Sequence, residues 1–162
     1  MSKNTLQSMI MLAASVLSVP TANADSHDVH ASIEGFHAPH HLSLLAADTH
    51  MRGHGDYSTL GLDYEYRVSQ LLGLGVVLEH AYDGLDATTA LAVADVHLYK
   101  GLAMQLGPGV EIAHKHSIFV SRVGLLYELE FDSFTLSPQM HWDYHEHHEN
   151  ALVAGIALGF VF

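Results

Sequence analysis

Between residues 60 and 68, large apolar side chains take turns with small or charged ones. Leu60, Leu62, Tyr64, Tyr66 and Val68 alternate with Gly61, Asp63, Glu65 and Arg67. A period of two puts each set on its own face of an extended strand, whereas a helix would mix them. The pattern returns with Leu72, Leu74, Val76 and Leu78 against Gly73, Gly75, Val77 and Glu79. It recurs with Met104, Leu106, Val110 and Ile112 against Gln105, Gly107, Gly109 and Glu111. Phe119, Val123, Leu125, Tyr127, Leu129 and Phe131 oppose Arg122, Gly124, Glu128 and Glu130; Phe134, Leu136, Met140, Trp142 and Tyr144 oppose Thr135, Ser137, Gln139, His141 and Asp143. Last comes Leu152, Ala154, Ile156, Leu158, Phe160 and Phe162 against Gly155, Ala157 and Gly159. Two weaker strands, Leu42 to Thr49 and Ala90 to Tyr99, bring the set to eight; the second has mostly alanine on its apolar side and an open phase around Asp95. Pro108 and Pro138 each remove a ladder donor inside a strand, so bulges or bends are expected there.

Eight antiparallel strands can close on themselves with the apolar face inside, as in a soluble lipocalin-like barrel, or outside, as in a membrane barrel. The face opposite the large apolar residues decides between them, because it alternates glycines with Asp, Glu and Arg. Glycines on an inner apolar face would leave voids. Beside charged groups they instead make room in a narrow polar lumen, while Leu, Val and aromatic residues meet lipid. The predicted fold is therefore an all-β, eight-stranded antiparallel up-and-down transmembrane barrel over residues 42–162, its lumen filled by side chains. The inward acids, Asp63, Glu65, Glu79, Glu111, Glu128, Glu130 and Asp143, outnumber Arg67 and Arg122 and need compensation, with His97 and His141 as expected partners.

The start of the chain adds a location. Lys3, the apolar run Met9 to Val19 and Ala22-Asn23-Ala24 read as a cleaved signal peptide over residues 1–24. The apolar run is too short for a membrane helix, and no other stretch approaches one. Residues 25–41 have no periodicity and read as a His-rich irregular periplasmic lead-in carrying His27, His30, His37, His40 and His41.

Composition then narrows the chemistry. The formal charge is -12, from 18 acidic against 6 basic residues, which repels phosphate backbones and argues against nucleic-acid partners. Cysteine is absent, so any metal site must use His and carboxylates. Aromatics crowd the strand ends, at Tyr57, Tyr99, Phe119, Phe131, Phe134, Trp142, Tyr144, Phe160 and Phe162, as an interfacial belt would place them.

From Tyr57 to Phe162 the sequence resembles a family of small bacterial outer-membrane barrel proteins. The stretches that carry the resemblance are GLDYEYR at Gly61 to Arg67, GPGVE at Gly107 to Glu111, RVGLLYELE at Arg122 to Glu130, LSPQ at Leu136 to Gln139 and ALVAGIALGF at Ala151 to Phe160. The strand ending in Phe162 is similar to the C-terminal signal by which such barrels are recognised for assembly. The resemblance implies a single closed barrel in the outer membrane, surrounded by lipid and lipopolysaccharide and inserted by the barrel assembly machinery. It implies no activity.

With both ends of the barrel in the periplasm, the loops holding His50 and His54, His80, His114 and His116, and His145, His147 and His148 face the outside. The turns near Ser69-Gln70, Lys100-Gly101 and Asp132-Ser133 carry no histidine. Neutral imidazoles and carboxylates suit zinc, copper or nickel. The metal-ligand candidates are His114, His116, His145, His147 and His148, with Glu146, Glu149, His50, His54 and His80 as helpers. A structural or surface-interaction role with a merely solvated polar rim competes with transition-metal capture at that rim. A third reading is a lipid A hydrolase using His116 and Ser117 with Glu111 or Glu128; it requires Ser and His to cooperate from adjacent positions, which a strand would place on opposite faces.

Overall fold

A computed structural model describes residues 39–113, 116–146 and 149–162. The expected signal peptide and nearly all of the expected lead-in lie outside the described residues, as do His114, His147 and His148. The strands are β1 (His40–Met51), β2 (Gly55–Arg67), β3 (Leu72–Ala81), β4 (Ala87–Tyr99), β5 (Leu102–Ala113), β6 (His116–Tyr127), β7 (Leu129–Glu130), β8 (Thr135–His145) and β9 (Ala151–Val161). Apart from β6 and β7, each strand pairs antiparallel with its chain neighbour; β1 pairs with β9, and β6 pairs with β8 beside the short β7, so the sheet closes. β7 continues β6 past Glu128 in one register against β8, since Leu126 faces Gln139 and Leu129 faces Leu136. The barrel therefore has eight staves.

Register fixes the tilt. From His40 the partners run Tyr66, Leu74, Ala94, Leu106, Val123, Trp142 and Leu152, and the next partner is His50, ten residues further along β1. That stagger inclines the strands and sets a lumen that side chains can fill.

The expected inversion holds. Val76 is 57% exposed and its neighbour Val77 only 3%. Leu44, Leu74, Leu125, Met140, Ile156 and Leu158 stand outward with Val76, whereas Glu65, Glu79, Asp95, Arg122 and Asp143 are buried inside. An apolar girdle around a charged lumen suits hydrocarbon and not water. The lumen is not polar throughout, because Val77, Leu91, Val93 and Val120 make a small apolar cluster on its wall. Aromatics mark both ends of the girdle, with Tyr66, Tyr127, Phe131, Phe134, Phe160 and Phe162 at the end where β1 begins and β9 ends, the end of the barrel's termini, and Tyr82, Phe119, Trp142 and Tyr144 toward the other. The tight β4–β5 connection needs positive φ at two successive positions, and Lys100 (φ 45°) and Gly101 (φ 85°) supply it.

Several details differ from the sequence expectation. Strand β1 starts at His40, two residues before Leu42, since His40 exchanges backbone hydrogen bonds with Phe162. Pro108 produces no bulge: the register of Leu91 with Gly109 and of Ala94 with Leu106 is the same on both sides, and the ladder only skips the pairs between. Its neighbours Gly107 and Gly109 let the Ala92 and Ala90 carbonyls come close, so the strand stays in line. The register shift in this hairpin falls instead between His97 and Tyr99. Pro138 falls opposite Tyr127, in the stretch beside Glu128 where the ladder between β6–β7 and β8 is interrupted and a missing donor costs least.

Candidate functional site

The lumen holds two ionic clusters. In the half away from the termini, Arg122 of β6 donates to both oxygens of Glu79 at 2.5 and 2.6 Å and, through Nε and Nη2, to Asp143 at 2.7 Å each. One guanidinium thus spans β3, β6 and β8 and gives two buried carboxylates their partner. Nearer the termini, Arg67 Nη2 donates to Glu128 at 2.6 Å, and His97 Nε2 lies 2.7 Å from Glu65 Oε1. Gln105 Nε2 donates to Asp63 at 3.0 Å. Interior glycines make room for these groups. A side chain at Gly73 would collide with the Glu65 carboxylate, and one at Gly124 with the His141 ring.

Above the Arg122 cluster the barrel opens into a cup of about 760 Å³, whose lining includes His54, Glu111, His116, Ser117, His145 and Glu149. The last inward residue of β8, His145, is buried. Its Nε2 lies 3.2 Å from Glu111 Oε2, which also accepts from Thr89 Oγ1 at 3.3 Å. Among the described residues the other ring nitrogen, Nδ1, is buried with no side-chain hydrogen-bond partner. At the lip, His54 Nδ1 lies 3.3 Å from Glu149 Oε2.

The structure therefore brings His116, His145, His54 and Glu149 to one cup, but not all the histidines assigned to that rim. His50 is on the outward face and pairs with Asp56 at 2.6 Å. His80 also faces outward, against Thr88 at 2.9 Å and edge-on to Tyr82. Strand parity decides both, since each shares its face with the lipid-facing residues two positions away. Among the described residues the cup has no three ligating groups with donor atoms within 4.8 Å of one another; the one such group, His41, Glu65 and Glu128, lies near the termini.

Three further expectations are corrected. Glu130 keeps the inward parity of Glu128 but sits exposed at the lumen mouth beside Arg67 and His97, not enclosed with the other acids. His141 is fully buried, yet among the described residues neither ring nitrogen bonds to an acid and Nδ1 has no partner, so it does not serve the acids as His97 does. Glu128 is bonded to Arg67 near the termini, whereas Ser117 lines the cup at the far end, so the two cannot share a catalytic site. Among the described residues no hydrogen bond joins His116 to Ser117. Asp95, missing from the expected set of inward acids, is 3% exposed inside β4. It is in phase with Leu91 and Val93, the signal that the alanines on the opposite face obscured.

No protein-family model matches the chain, and no curated protein matches it. Solved structures do match. The N-terminal β-barrel domain of Pseudomonas aeruginosa OprF aligns with a TM-score of 0.60 at 14% identity, over 75% of this chain and 97% of that one. The Yersinia pestis outer membrane protein Ail, in a phospholipid bilayer nanodisc, aligns with a TM-score of 0.54 at 10% identity, over 77% and 99%. The de novo designed TMB2.3 aligns with a TM-score of 0.52 at 12% identity, over 79% and 98%. At these identities the likeness is one of fold. The chain is an eight-stranded β-barrel of the outer-membrane type, as the sequence resemblance implies.

Proposed function

We propose that the protein is an integral, non-enzymatic outer-membrane barrel with its termini in the periplasm, its filled lumen closed to solutes and its acidic, imidazole-lined cup facing outward as a surface for ligands or other molecules. Lipid and lipopolysaccharide surround it, and the barrel assembly machinery inserts it. The observation that carries this reading is the outward apolar girdle around the Arg122–Glu79–Asp143 cluster. The narrow gaps left in the lumen, about 20 and 10 Å³, are no larger than a water molecule or so. Planar-bilayer recording of the refolded full chain tests closure. Conductance at background level is expected, and stable ohmic steps would contradict it.

Capture of zinc, copper or nickel by the cup is a second reading, favoured by buried His145, whose Nδ1 has no side-chain partner among the described residues. His116, His54 and Glu149 line the same space, and His114, His147 and His148 adjoin it in sequence. Titration of the refolded barrel with Zn²⁺ is expected to lose its rim-bound component in a His116→Ala/His145→Ala variant. Equal, millimolar binding by both proteins would retire this reading.

A further inference from the structure

The end of the lumen near the termini carries a second site, independent of the cup. Asp63, Glu65, Asp95 and Glu128 converge there with Arg67 as the one permanently charged base among the described residues around them. They adjoin a gap of about 20 Å³, also lined by His41 and Ser43, which is room for one ion or water. Four acids share one guanidinium, the His97 ring and the Gln105 amide where solvent is scarce, so a bound cation would add the charge that ionised carboxylates lack.

The contacts of the two glutamates are divided. Glu65 turns Oε1 to His97 at 2.7 Å and to Arg67 Nε at 3.5 Å, which leaves Oε2 facing His41. Glu128 turns Oε2 to Arg67 at 2.6 Å and leaves Oε1 facing His41. His41 Nδ1 stands 3.6 Å from the first free oxygen and 3.5 Å from the second, too far for good hydrogen bonds. Two ligands bound at about 2.1 Å to a tetrahedral ion lie about 3.4 Å apart, which is close to this spacing. The other ring nitrogen, Nε2, is held at 2.8 Å by Thr135 Oγ1, the outer-shell bond that orients a ligating imidazole. A side chain at Gly159 would collide with both His41 and Thr135, so the glycine keeps this arrangement possible.

A second, independent observation points to a ligand. Asp95 is 97% buried, lines the same gap, and its Oδ1 has no hydrogen-bond partner among the described residues. We propose that His41, Glu65 and Glu128 bind a single zinc-class divalent cation inside the barrel, with Asp95 supplying the remaining charge directly or through one water. Hard cations such as Ca²⁺ and Mg²⁺ prefer six or more oxygens, whereas one imidazole with carboxylates suits Zn²⁺.

The test is metal content after refolding the full chain in Zn²⁺ and desalting, with the heat-modifiable gel shift as the control for a closed barrel. Wild type is expected to retain one zinc per barrel, and the cup variant His116→Ala/His145→Ala to retain it equally. The His41→Ala barrel is expected to lose it, and Thr135→Val to bind about 10- to 100-fold more weakly. Should His41→Ala fail to fold, Co²⁺ in the wild-type barrel decides, through the intense visible absorption of a tetrahedral nitrogen–oxygen site. A folded wild type without retained zinc, retention by folded His41→Ala, loss in the cup variant, or an octahedral cobalt spectrum would each overturn the proposal.

Discussion

Within the barrel Arg122 and Glu79 form a bidentate pair, and the Arg122 side chain has no solvent-exposed surface. The pair crosses from β6 to β3, on separate staves of the barrel, and Asp143 of β8 adds a third anchor. Arg122→Met would leave Glu79 and Asp143 buried without their counterion. A loss of about 3–5 kcal/mol is expected, because an uncompensated buried charge costs more than the pair contributes. Urea unfolding in vesicles, followed by the fluorescence of Trp142, the single tryptophan, reads this directly. The triple variant Arg122→Met/Glu79→Gln/Asp143→Asn is expected to recover most of the loss.

The lipid-facing girdle makes a depth-dependent prediction. Val76 lies in the middle of β3 with its side chain outward, whereas Ile112 is outward near the cup end of β5. Val76→Arg is expected to cost about 2–4 kcal/mol and Ile112→Arg about 0–1 kcal/mol. The same urea titration compares them; equal costs would mean that the girdle is misplaced.

Gly124 and His141 are directly opposite across β6 and β8, and a methyl at Gly124 would meet the imidazole. Gly124→Ala is expected to destabilise by about 1–3 kcal/mol through overpacking. His141→Ala should make the same substitution nearly neutral, since coupling is confined to contacting residues. The temperature at which the folded band disappears in the gel-shift assay checks both variants.

Much of this was legible in the sequence because a period of two survives wherever one face must be apolar. The runs Leu72 to Glu79 and Met104 to Ile112 showed both the strand and which side faces lipid. β4 was harder, because Ala90, Ala92 and Ala94 are too small to mark a face, and Asp95 went unassigned until its register with Gly73 fixed it. The rim histidines were only partly legible. Their end of the barrel follows from loop order, but which of them enter the cup depends on strand parity at the last residue, and this turned His50 and His80 outward. His41 looked like part of an irregular tail. Its place beside Glu65 and Glu128 depends on closure between β1 and β9, the first and last strands, a contact that no local pattern reports.

Lipid contact along one strand tests the inside-out arrangement most directly. The chain has no cysteine, so single cysteines can be placed at Leu74, Val76 and Leu78 and at the alternate positions Gly75 and Val77 of β3. In folded, vesicle-embedded protein, the first three are expected to accept a small fluorophore that nitroxide lipids quench strongly, while Gly75→Cys and Val77→Cys stay unreactive. Quenching at Val77→Cys with protection of Val76→Cys, or no alternation along the strand, would contradict the account.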